Sequence, residues 1–125
     1  MARILLIDDQ EHIRNIIKQI LLIDGYEVDT AENGKAGLKM VQLHRYDLVI
    51  TDIFMPEQDG LEVIMELRQQ FPDIKIIVMT GGGAKLDIGH LLKMSKYMGA
   101  DRLFSKPIDF VTLRAAVKEL LAVAK

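Results

Sequence analysis

The chain has 125 residues, half of them hydrophobic and 27% charged, a globular balance that excludes a disordered chain. Its 16 basic and 18 acidic side chains leave a formal net charge of −2, which gives no general pull toward nucleic acid or an anionic membrane. It has no cysteine, so disulfides, thiolate metal sites and cysteine catalysis are excluded. The length suits one domain over residues 1–125 with a two- or three-layer core.

Ile4-Leu5-Leu6-Ile7 is a continuous apolar run of strand length, closed by Asp8-Asp9. Those acids come too early for a signal peptide or a membrane span, so a cytoplasmic protein is expected. From Glu11 the period changes. Ile13, Ile16, Ile17, Ile20 and Leu21 share a helical face, with Arg14, Asn15, Lys18 and Gln19 opposite. Asp24-Gly25 stops that helix, with Gly25 as a left-handed cap. Tyr26, Val28 and Thr30 alternate with Glu27 and Asp29, the period of a half-exposed edge strand. Asn33-Gly34 is a turn, and a helix follows to about His44, weakened by Gly37.

Leu48, Val49 and Ile50 do not alternate with polar residues and predict a strand buried on both faces, ending on Asp52. Pro56 to Gly60 is loop. Leu61, Ile64, Leu67 and Phe71 carry a third helix, broken by Pro72-Asp73. Ile74 to Met79 is the fourth strand, ending in Thr80, and Gly81-Gly82-Gly83 is a flexible hinge. Ile88, Leu91, Leu92, Ser95 and Met98 sketch a fourth helix, closed by Gly99. Leu103-Phe104 is a short fifth strand, followed by Lys106-Pro107. Phe110, Leu113, Val117, Leu120 and Ala124 carry a last helix capped by Asp109.

This is a βα unit repeated five times, which predicts an α/β fold with helices on both faces of a parallel sheet. Strands one, three and four are wholly apolar and belong in the middle; strand two alternates and strand five is short, so both suit edges. With right-handed crossovers the order is 2-1-3-4-5, a flavodoxin-like (βα)5 three-layer sandwich with its crevice between strands one and three. Asp8 and Asp9 then lie on one side of the crevice and Asp52 on the other. Thr80 and Lys106 end neighbouring strands at the same edge.

Each of these residues alone has a plain structural role: a helix cap for Asp8 or Asp9, a turn for Asp52, a solvated charge for Lys106. Together they are harder to dismiss. Three carboxylates in one crevice repel by roughly 4 kcal/mol per close pair near a protein surface. A hard divalent cation such as Mg²⁺ would relieve this and leave room for phosphate oxygens. A carboxylate nucleophile, a metal, an ammonium and a hydroxyl donor are what phosphoryl transfer needs. Asp52 is the best nucleophile candidate.

The whole chain resembles a receiver domain of two-component response regulators, of the CheY-like kind. The resemblance rests on Ile4 to Asp9, on Asp47 to Pro56 with Asp59-Gly60, on Thr80, on Gly99-Ala100-Asp101 and on Lys106-Pro107. It implies a signalling switch rather than an enzyme with a separate substrate. Asp52 would accept a phosphoryl group from a histidine kinase or a histidine phosphotransfer protein, and the chain would catalyse only its own uptake and hydrolysis. Asp9 would bind Mg²⁺ directly and Asp8 through water, with Asp52 and the backbone carbonyl of Phe54 completing the protein ligands. Thr80 and Lys106 would hold phosphoryl oxygens, with Lys106-Pro107 typically cis. Phosphorylation would remodel the face of the fourth helix, fifth strand and fifth helix for a downstream protein or an output domain. No direct contact with nucleic acid or membrane is implied. No output module follows the last helix, so the chain reads as a stand-alone receiver or as one cut from a longer protein.

Two features depart from the family. The aromatic residue usual three positions before the lysine is replaced by Leu103, and Phe104, one later, should point to the other face of the sheet. Gly81-Gly82-Gly83 replaces a commoner small residue after Thr80. Three rivals share parts of the pattern. A phosphatase resembling haloacid dehalogenases would carry Asp-x-Asp after strand one, which is absent. A flavin module would need a hydroxyl- and glycine-rich phosphate loop where Asp8-Asp9-Gln10-Glu11 stands. A degenerate receiver would have lost some of the acceptor, acidic pair, Thr and Lys kept here.

Overall fold

The computed structural model describes residues 2–53, 60–80, 93, 96–97 and 99–123. Phe54, Pro56, Asp59, the glycines 81–83 and most of the predicted fourth helix lie outside the described residues. Lys93, Lys96 and Tyr97 are described there, and they are helical and exposed.

The five predicted strands form a parallel sheet: β1 (Arg3–Ile7), β2 (Glu27–Ala31), β3 (Leu48–Asp52), β4 (Lys75–Thr80) and β5 (Arg102–Ser105). Their order is β2-β1-β3-β4-β5, as the strand compositions predict. β3 is buried along its whole length, whereas β5 has no buried residue. A strand packed on both faces cannot alternate, and an edge strand need not be apolar throughout.

The helices are α1 (Glu11–Ile23), α2 (Gly34–Leu43), α3 (Gly60–Gln70) and a C-terminal helix (Phe110–Val123). Alternate residues of the sheet face two cores. Leu5, Ile7, Val49, Ile76 and Val78 pack with Val41 of α2 and with Val63, Ile64 and Leu67 of α3. Ile4, Leu6, Leu48, Ile50, Ile77 and Met79 pack with Ile17 and Leu21 of α1 and with Leu113, Val117 and Leu120 of the C-terminal helix. Leu103 joins the first core and Phe104 the second, the opposite faces that the strand period requires.

Several local devices set the element ends. Gly25 ends α1 with φ of 95°, a conformation that only glycine adopts freely. Asn33 does not make a free turn. Its side chain accepts a hydrogen bond from the Ala36 N–H at 2.8 Å and caps α2. Gly37, which weakens the helix on propensity, is where α2 meets the sheet: a Cβ there would lie 2.8 Å from Ile7 Cγ1. Asp109 caps the C-terminal helix, accepting from the Val111 N–H at 3.1 Å and the Thr112 hydroxyl at 2.8 Å.

The apolar face of α1 is wider than its contact. Ile17 and Leu21 are fully buried, but Ile16 is 42% and Ile23 80% exposed. Ile16 shares the helical face read from the sequence without being buried. It sits on the flank of the stripe, beyond the reach of the sheet.

At the N-terminal end of the sheet, Asp29 accepts hydrogen bonds from the Tyr46 hydroxyl at 2.7 Å and from Arg3 Nη2 at 2.9 Å. Burial works against the charge on Asp29, but the bonds from Tyr46 and Arg3 outweigh it and set its pKa below the ordinary 3.8. A carboxylate depressed in the folded state adds stability above its unfolded pKa, and this is lost as pH falls through the folded value. The chain should therefore lose stability as pH drops below about 4. Asp29→Asn should flatten that part of the curve, measured by urea unfolding at a series of pH values.

Candidate functional site

The parallel register brings the strand ends to one edge. Ile7 pairs with Thr51, so Asp8, next along, is level with Asp52. Asp52 pairs with Met79, and Thr80 follows it. Thr80 pairs with Ser105, and Lys106 follows that. The Lys106 backbone N–H donates to the Thr80 carbonyl at 2.8 Å, and the Lys106-Pro107 bond is cis. The lysine side chain then crosses the end of β4 toward β3 and β1.

Its ammonium lands among the acids. Lys106 Nζ is 2.9 Å from Asp8 Oδ2 and 2.9 Å from Asp52 Oδ2. One carboxylate oxygen from each of Asp8, Asp9 and Asp52 lies within 4.8 Å of the others. Asp8 is closed to solvent and Asp52 is 4% exposed, whereas Asp9 is exposed. Thr80 is fully buried at the end of β4.

Residues distant in sequence thus form one charged cluster: Asp8, Asp9 and Asp52 with Lys106 among them. Thr80 ends the intervening strand. Phe54, whose carbonyl the resemblance adds to the metal ligands, falls outside the described residues.

The electrostatics are uneven. Burial raises the Asp8 pKa above its ordinary value, although the Gln10 N–H and Lys106 pull the other way. Burial also works against the charge on Lys106, but hydrogen bonds to Asp52 and Asp8 outweigh it and raise its pKa. The ion pairs therefore keep the ammonium charged, while Asp8, with no water contact, keeps a net penalty. Among the described residues, two buried carboxylates share one ammonium, and Asp9 adds a third carboxylate at the solvent side. This donor set suits a small hard dication.

Gln10 and Arg14, which the sequence places beside the crevice, make contacts with the cluster that it does not show. Gln10 accepts from Lys106 Nζ at 2.9 Å and gives its backbone N–H to Asp8 Oδ1 at 2.8 Å. Arg14 Nη1 donates to the Asp8 carbonyl at 2.6 Å. Both sit among the exposed polar residues of the first helix and its approach, where periodicity marks only a solvated face.

Residues 4–118 match the family described as response regulator receiver domain. Sporulation initiation phosphotransferase F of Bacillus subtilis is 36% identical over 119 residues, covering 95% of this chain and 93% of that protein. The transcriptional regulatory protein PcoR of Escherichia coli is 34% identical over 125 residues, but this chain spans only 54% of its length. Among solved structures, the response regulator TrrA of Thermotoga maritima, in complex with Mg²⁺ and BeF, is 42% identical. It superimposes with a TM-score of 0.83, covering 96% of this chain and 99% of that one.

Proposed function

This chain belongs to the response regulator receiver family of two-component signalling, and from that premise we propose that Asp52 is the carboxylate that takes the phosphoryl group. One observation carries the assignment. Asp52 ends the fully buried central strand and shares the Lys106 ammonium with Asp8. Its carboxylate is held by the sheet on one side and a fixed positive charge on the other, which is how a nucleophile is kept aimed.

The donor is a phosphohistidine, of a histidine kinase or a phosphotransfer protein. An Asp52 oxygen attacks phosphorus in line, the P–N bond breaks and its electron pair returns to the imidazole. Lys106 and the Thr80 hydroxyl take up the phosphoryl oxygens. Gln10, Arg14 and Lys18, on α1 and its approach beside the crevice, supply a docking face for the donor protein. The chain acts on itself alone, and its output is a changed surface offered to a protein partner or a linked output domain.

The acids fit Mg²⁺. Both Asp8 oxygens already carry a partner, so Asp8 is suited to hold the ion through water, and exposed Asp9 with Asp52 is suited to bind it directly. The bound ion would supply positive charge against the phosphoryl oxygens. TrrA, which carries Mg²⁺ with BeF, supports the assignment.

Incubation with acetyl phosphate and Mg²⁺ tests the proposal. Intact mass should rise by one phosphoryl group, and EDTA should prevent it. A chain that stays unlabelled with Mg²⁺ present overturns the assignment. The metal has its own signature. A ligand bound only by the folded state stabilises by about 2.7 kcal/mol at a hundredfold excess over its Kd. Mg²⁺ should therefore raise the Tm, and Asp9→Asn should remove that rise while leaving the metal-free Tm unchanged or higher.

A further inference from the structure

We propose that Gln10 is a positioning residue for Lys106, holding the ammonium where it can transfer to the incoming phosphoryl group. This rests on Asp52 being the phosphoacceptor.

An ammonium has three N–H donors. Those of Lys106 are matched by three acceptors at the same 2.9 Å: Asp8 Oδ2, Asp52 Oδ2 and Gln10 Oε1. The third is unlike the other two. Asp8 and Asp52 are buried and charged, whereas Gln10 is neutral and exposed. A carboxylate adds charge–charge attraction to its bond with an ammonium, and a neutral carboxamide does not. Gln10 is thus the partner that yields first.

Gln10 is also anchored. Its backbone N–H donates to Asp8 Oδ1 at 2.8 Å, and its carbonyl accepts from the Arg14 N–H at 3.1 Å in the first turn of α1. The carboxamide therefore works from a fixed base. It draws the ammonium toward the solvent side, against two carboxylates that draw it inward. When the phosphoryl group forms on Asp52, the negative charge moves outward onto its oxygens. The N–H that rests on Gln10 is then the one that turns to them, while Asp8 retains its own.

Without the carboxamide, the ammonium is balanced only by Asp8 and Asp52. It settles between the carboxylates and masks the oxygen that must attack. Gln10→Met keeps the length of the side chain and removes the acceptor. Because the residue is exposed, the fold does not depend on it.

The test compares wild type and Gln10→Met for acetyl phosphate uptake at saturating Mg²⁺, with Mg²⁺ affinity measured by calorimetry. Uptake should slow about three- to tenfold as the ammonium settles between the carboxylates, with Mg²⁺ affinity unchanged. Both variants are then repeated in a Lys106→Met background, where Gln10→Met should have no further effect. If that background is too slow to follow, beryllofluoride affinity is read through the same cycle.

An unchanged uptake rate in Gln10→Met overturns the proposal. So does a parallel loss of Mg²⁺ affinity, or an equal slowing with and without Lys106. If uptake falls only with a protein phosphodonor and not with acetyl phosphate, Gln10 is a docking residue and the proposal fails. A wild-type chain that takes up no phosphoryl group overturns the phosphoacceptor assignment and this proposal together.

Discussion

Asp52→Asn is expected to abolish phosphoryl uptake and to leave the metal-free fold as stable as wild type or more so. The first effect follows from the chemistry. A carboxamide has the shape of the carboxylate but not its nucleophilic oxygen, so no acyl phosphate forms. The second follows from counting charges in the crevice. In the wild type, buried Asp8 and Asp52 share one ammonium. Two carboxylates about 4 Å apart near a protein surface repel by roughly 4 kcal/mol. Removing one leaves Asp8 paired with Lys106, which still has Gln10 as a further acceptor. Truncating one partner of a buried pair is costly when it strands a charge, and here none is stranded. Intact mass after acetyl phosphate treatment and a thermal melt in EDTA check the two effects on the same sample. A labelled Asp52→Asn chain would show that another carboxylate is the acceptor. A large fall in Tm would show that repulsion between the two carboxylates does not set the stability of the cluster.

How much of this was legible in the residues differs from element to element. Leu48-Val49-Ile50 could only be a doubly covered strand, and Glu27 to Thr30 only a half-exposed one. Strand order followed from those two patterns, and strand order alone places the acids at one edge. Leu103 and Phe104 were assigned to opposite faces by the strand period, and they pack in different cores. The exposure of Ile16 was not legible because a helical face has no sharp border in sequence; the sheet decides how wide a stripe it covers, and it stops short of Ile16. Gly37 looked like a flaw in a helix, because a helix propensity cannot register Ile7, thirty residues earlier in the chain, pressing on it. The contact of Gln10 with Lys106 was invisible for a similar reason. The two are 96 residues apart, and an isolated glutamine after an acidic pair has no pattern that separates it from a solvated residue.

Lys106→Met should be the most destabilising single change at the site, and its effect should depend on Mg²⁺. A lysine that was simply a solvated surface charge would cost within about 0.5 kcal/mol when removed. Lys106 instead lies between two acids that have almost no contact with water. Its loss removes the ammonium that the two share, and breaking a buried pair in this way costs about 3–5 kcal/mol. For a chain of this length the corresponding fall in Tm is about 10–20 °C. Methionine fills most of the lysine stem, so lost packing contributes little of it. Because the cost arises from uncompensated negative charge, a dication bound to the same acids should recover much of it. The Tm deficit should therefore be large in EDTA and clearly smaller in Mg²⁺. Thermal melts of wild type and Lys106→Met in both conditions separate the possibilities. A deficit equal in the two would mean that the lysine holds the fold by its stem or its backbone. A deficit near zero in EDTA would mean that Asp8 takes a proton when the ammonium leaves, since burial already raises its pKa. A deficit relieved by Mg²⁺ would show that ammonium and metal neutralise the same acids, which is the condition for either to hand its charge to a phosphoryl group on Asp52.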